Sequence, residues 1–183
     1  MSAALIGNII ANSITHQATI LQVDLFVLLI HYYAQENLTC ELIMCITSSR
    51  RVIDIKATTE KQSTIVDQLQ PAHALYGCDA VSRVYWIGKG TVLKVIRSLN
   101  PLNNLRKVSA RMDDVIEESG RFIAACYGSH ERTNMSAIRY DIWTSKMANK
   151  KLTAVPQLKT LPPTTEVFGE HVHRAHSRVV IWR

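Results

Sequence analysis

At 183 residues the chain is long enough to bury a real core, and an apolar share of 47% with few glycines and prolines excludes a disordered or low-complexity protein. A net charge of +6 suits a polyanionic partner, and no stretch reaches the roughly 18 apolar residues of a membrane span. Cys40, Cys45, Cys78 and Cys126 form no zinc-ligand pattern, which points to a reducing compartment, nuclear or cytoplasmic.

In chain order, residues 2–13 read as a helix with Leu5 and Ile9 on one side. That stretch has no basic leader and is broken by Asn8 and Asn12, so it makes a poor signal peptide. Residues 18–30 include ILQVDLFVLLI, an apolar run of the kind buried on both faces of a parallel sheet. Its one charge, Asp24, is costly there unless it ends the strand, is paired or binds a cation. Residues 39–47 and 51–55 read as two strands of a hairpin joined by Ser48-Ser49-Arg50. Residues 58–69 are predicted as a polar-faced helix stopped by Pro71.

Asp79 then closes an apolar stretch, and a short amphipathic segment leads to Gly88-Lys89-Gly90 and a helix predicted to open at Thr91. Two glycines let an anion approach the backbone, the helix start offers free N–H groups, and Lys89 adds a mobile charge. In that helix Val92, Ile96 and Leu99 share one side. Charge is distributed to match. Residues 1–79 hold four basic and seven acidic side chains, whereas residues 80–112 hold seven basic (Arg83, Lys89, Lys94, Arg97, Arg106, Lys107, Arg111) and no acidic one. A phosphate backbone would need its positive charge there, although a solvated basic face gives the same pattern.

The last third reads as helical. Residues 112–127 place Met112, Ile116, Ile123 and Tyr127 at helical spacing, with a weak point at Gly120, and residues 136–147 form a shorter helix. Residues 156–163 look like a linker, after which Thr164 can cap a final helix. That helix repeats Phe168, Val172, Ala175, Val179 and Trp182 as an apolar stripe, expected to pack within its own domain. His171, His173 and His176 do not share a side suited to a metal and are read as a polar face. Cys40 and Cys45, five apart on a strand, would face opposite ways. His73 is read as a packed or hydrogen-bonded histidine.

Several of these stretches together resemble a known family. Gly77-Cys78-Asp79 followed by the Ile87–Gly90 turn is similar to the C-terminal half of the flap-endonuclease-like PIN domain. There a Gly-Cys-Asp strand end supplies a metal ligand and a helical hairpin grips the DNA backbone. A nearer likeness is to uncharacterised animal proteins with PIN-like domains, often found beside mobile elements. Their DTDVLVLL-like strand, HALTGCD-like segment, GKGK-like turn and LPP…H…RA…IWR stretch have counterparts at residues 22–29 (QVDLFVLL), 73–79 (HALYGCD), 88–90 and 161–183 (LPPTTEVFGEHVHRAHSRVVIWR). The departures are Gln22, where the family has the first of two strand aspartates, the absence of Asp and Glu from residues 1–17, and Trp86, where the first glycine of the hairpin turn commonly stands.

The resemblance implies an α/β fold: a PIN-like (Rossmann-like) parallel-sheet remnant over residues 1–110, with a helical hairpin at 79–99 and a helical part, 111–183, packed on it. It implies Asp24 and Asp79 as metal positions. It also implies a sequence-independent DNA or other nucleic-acid grip through Arg83, Gly88, Lys89, Gly90, Thr91, Lys94 and Arg97. Two carboxylates are few for two-metal cleavage with Mg²⁺ or Mn²⁺. The expectation is therefore a degenerate mobile-element nuclease, cut short at its N-terminus and bound to nucleic acid without efficient catalysis. Two alternatives stay open. One is an active metal-dependent nuclease drawing on Glu36, Glu41 or Asp54, and the other is a protein-interaction scaffold.

Overall fold

The computed structural model describes residues 20–46, 50–98, 102–129, 133–148 and 157–182. The predicted helix at 2–13 lies outside them. The chain divides into two compact units, Met1–Val66 and Asp67–Arg183.

In the first unit the apolar run is a helix, α1 (Ile20–Gln35), and the expected buried strand does not form. Sixteen residues without glycine or proline, continuing through His31-Tyr32-Tyr33, exceed an ordinary strand, and a nearly continuous apolar run carries no period that separates strand from buried helix. Asn37 stops it at φ 49, in the left-handed region. The Leu38 amide donates to the Tyr33 carbonyl (3.0 Å) and the Asn37 amide to the Ala34 carbonyl (3.2 Å), the paired bonds of a Schellman ending. The predicted hairpin is present as β1 (Ile43–Ile46) and β2 (Arg51–Asp54), antiparallel with Ile43 opposite Asp54 and Ile46 opposite Arg51. This is the sheet that the described residues contain, and no parallel pair occurs among them. The expected parallel core is replaced by a mostly helical fold with a small antiparallel sheet.

Asp54 caps α2 (Ile55–Lys61), its carboxylate accepting from the Ala57 amide at 3.0 Å. The helix predicted over 58–69 is broken at residues 62–65, and a new one, α3 (Val66–Tyr76), runs through Pro71. Losing one backbone bond there costs about 3 kcal/mol. Complete burial of Ala72, Ala74 and Leu75, with Gln70 at 2% exposure, offsets it.

The second unit is helical: α3, α4 (Lys89–Ser98), α5 (Met112–Cys126), α6 (Met135–Ala148) and α7 (Thr165–Ile181). Its core gathers Leu75, Val92, Leu105, Val115, Ile123, Ile138, Phe168, Val172 and Val179. α5 is central, packing on α4, α6 and α7. It ends at Gly128 (φ 82), with the Ser129 amide bonded to the Ala124 carbonyl at 2.9 Å. Gly120 is closely packed, since a Cβ there would lie 3.1 Å from the Thr133 carbonyl oxygen. The supposed linker is docked: Leu161 is buried, Arg139 donates to the Pro162 carbonyl, and the Lys146 ammonium donates to the Thr160 carbonyl at 2.9 Å. Thr164 caps α7 as predicted, and the whole apolar stripe from Phe168 to Trp182 is buried. Among the described residues no helix is long and apolar enough to cross a membrane.

Candidate nucleic-acid interface

α4 opens two residues earlier than the sequence suggested. Gly88 is the residue before its first turn, because its carbonyl accepts from the Val92 amide at 3.1 Å. Lys89, Gly90 and Thr91 therefore occupy the first turn, whose N–H groups have no partner within the helix. Val92, Val95 and Ile96 turn inward, while Gly90, Thr91, Lys94, Arg97 and Ser98 are exposed on the other face. Gly90, Lys94 and Arg97, at spacings of four and three, form one row along it. Neither Gly88 nor Gly90 has a positive φ, and an added Cβ on either would meet nothing within 4 Å. The ground in front of this turn is open. Among the described residues neither Lys89 nor Lys94 is in an ion pair.

Three other cations of the basic stretch are more engaged. Arg83 is exposed, yet its Nε donates to the Tyr76 hydroxyl and its guanidinium lies 5.3 Å from the Tyr76 ring centre. Arg106 faces Asp67 at 3.6 Å and Arg111 faces Asp113 at 3.6 Å. The second helix of a hairpin at 79–99 is thus present and the first is not. Residues 77–88 form a non-helical connection from the end of α3.

That connection is tightly fixed. Gly77 has φ 130, and a Cβ there would sit 2.5 Å from the Arg83 Cα, so only glycine fits. Trp86 is also left-handed, at φ 64, and 72% exposed. A bulky side chain in that region costs about 1–2 kcal/mol. Tyr127, whose hydroxyl burial pushes up to about 12, donates to the Tyr85 carbonyl at 2.7 Å and pins the turn.

Asp79 lies three residues beyond the end of α3, not at a strand end. Both its oxygens accept from the Arg178 guanidinium, at 2.9 and 2.8 Å. Arg178 in turn lies 5.0 Å from the Trp182 ring centre, and Trp182 stacks on His73 at 6.2 Å. The Gln70 amide donates to the Trp182 carbonyl. The two stretches of the resemblance at residues 73–79 and 161–183 therefore clasp each other. Their conspicuous residues build a joint between α3 and α7.

The histidines complete it. His171 and His176 are buried, against the expected polar face, and only His173 is exposed. His171 Nε2 meets the Leu75 carbonyl at 2.7 Å and His176 Nδ1 the Leu105 carbonyl at 2.9 Å, so both flank the stripe as donors. Burial lowers the His171 pKa, favouring the neutral ring. Sequence reading missed Arg178, Tyr85, Tyr127 and Lys146. Arg178 carried a local signal, one turn before Trp182, but its partner 99 residues away did not.

Mg²⁺ takes about six oxygen ligands, several of them waters and at least one or two of them carboxylates, and a two-metal site needs such carboxylates for each ion. Asp79 is committed to a guanidinium, and among the described residues no three His, Cys, Asp or Glu side chains converge on one point. Asp24 belongs to the first unit, buried on α1. Of the reserve acids, Asp54 caps a helix, while Glu36 and Glu41 are exposed. Among the described residues, neither unit taken alone presents a donor set that fits such an ion. No family model, curated protein or solved structure matches this chain.

Proposed function

We propose that this chain binds the phosphate backbone of nucleic acid through α4 and the turn before it, without cutting it, as a PIN-like nuclease relative would once its metal site had lost its acids. The single observation that carries this reading is the outward row of Gly90, Lys94 and Arg97 beside the open Gly88–Gly90 turn, with Lys89 at its head. What supports the absence of hydrolysis is Arg178, whose Nη2 donates to both oxygens of Asp79 and so sets a guanidinium where a metal would have to bind. Nuclear or cytoplasmic residence and a mobile-element ancestry belong to the same proposal. In titrations of the full chain against a labelled duplex, affinity should fall steeply between about 50 and about 200 mM salt. Reversing Lys89 and Lys94 to glutamate should abolish binding at the lower salt. No binding at low salt, or binding indifferent to the reversals, removes the idea.

A second reading, an active nuclease using Mg²⁺ or Mn²⁺, rests on the sequence likeness alone. Flap, single-stranded and duplex substrates incubated with either ion decide it. Cleavage that disappears in a folded Asp79→Asn variant establishes the enzyme and overturns the binding-only conclusion.

A further inference from the structure

The turn that leads into α4 presents an aromatic pair to solvent. Trp86 is 72% exposed and Tyr85 44%, their rings edge to face at 6.1 Å. Nothing in the core needs them. The neighbouring Val84 and Ile87 supply the turn's buried anchors. The backbone conformation that projects the indole is one glycine would adopt freely, and it is retained with the bulkiest side chain.

The surroundings select what can lie on that ring. Lys146 Nζ stands 5.2 Å from the Trp86 ring centre and is held there by the Thr160 carbonyl and hydroxyl. One ring face therefore borders a fixed cation. Tyr127, which pins the Tyr85 carbonyl, and Lys146 also line a cleft of about 400 Å³ with Ser129, Ile138, Asp141 and Ser145. Hydroxyls, a carboxylate and an ammonium thus line the cleft together with Ile138 and Ile142. Lys89 lies three residues beyond Trp86, within about 10 Å along the chain. A flat, polar-edged ring attached to a phosphate matches this arrangement: the ring on the indole, its edge toward the cleft, its phosphate toward Lys89.

We propose that Trp86 is a stacking platform for an unpaired nucleobase, so that the preferred ligand is a single strand or a junction with a splayed base rather than a closed duplex. This rests on the phosphate-binding reading above and names its substrate class. Stacking on a tryptophan is sequence-tolerant, because every base has a π face.

The test is fluorescence anisotropy on the full chain with three end-labelled oligonucleotides of equal length: an oligo-dT strand, the same backbone with abasic residues, and a blunt duplex. The wild type should bind the dT strand about tenfold more tightly than the abasic one. Trp86→Gly should bring the dT strand to the abasic level and leave the other two unchanged, while Trp86→Phe keeps most of the preference. Because glycine relieves the left-handed backbone, lost affinity in that variant is not lost folding, and its thermal midpoint should not drop. If Trp86→Gly and wild type bind the dT strand equally, stacking is overturned while salt-sensitive binding of the abasic strand keeps the phosphate grip. If the wild type ignores all three, both proposals fall, as they would for a surface that serves a protein partner.

Discussion

Asp79 and Arg178 carry opposite meanings under the two readings of this chain. As a metal ligand, Asp79 would interact with Arg178 only incidentally. As half of a clasp, it shares with Arg178 two charge-assisted hydrogen bonds at the surface, at 36% and 27% side-chain exposure. Solvent reaches the pair, and the Arg178 Nε is buried without a partner, so its net worth is modest. A double-mutant cycle on Asp79→Asn and Arg178→Gln, read by urea unfolding, should give a coupling of about 1 kcal/mol. A coupling near zero would return Asp79 to the list of available metal ligands. The importance of both segments was legible in the sequence. Their mutual contact was not, because a single chain does not encode which of its cations meets a given carboxylate 99 residues away.

At the scale of elements, legibility followed periodicity. α5, α6 and α7 lie within a residue or two of their predicted bounds, because apolar residues recur at helical spacing in α5 and α7 and Thr164 caps α7. α1 was misread because ILQVDLFVLLI has no polar face to set a period, and the Pro71 stop was misread because burial outweighed one missing hydrogen bond. One signal for α1 stood in plain view, Asn37, a residue that tolerates the left-handed ending of a helix. Asn37→Ala should therefore destabilise the protein by about 1 kcal/mol, and Asn37→Gly should be neutral or slightly stabilising. Denaturant unfolding followed at the helical signal measures both. Equal losses in the two variants would mean that the asparagine side chain, and not its backbone angle, ends the helix.

Across the whole molecule the charge is unevenly held: residues 67–183 carry 17 basic and ten acidic side chains, residues 1–66 four and five. The second unit thus bears the entire positive excess, and under the proposed reading that field would draw a polyanion to it. A diffuse field and a defined grip differ in how single residues respond. If attraction were spread over all the cations, neutralising any one would trim affinity slightly and alike. If Lys89 and Lys94 each neutralise a phosphate, replacing either with glutamine removes one counterion-release event, and the slope of log affinity against log salt becomes shallower by about 0.9 for a duplex. Arg106 and Arg111 already face Asp67 and Asp113, so their glutamine variants should leave that slope nearly unchanged. The measurement is a duplex titration over about 50–200 mM salt for the four variants. Four equal slopes would show that the basic stretch attracts without gripping, and the open glycine turn would lose its part in binding.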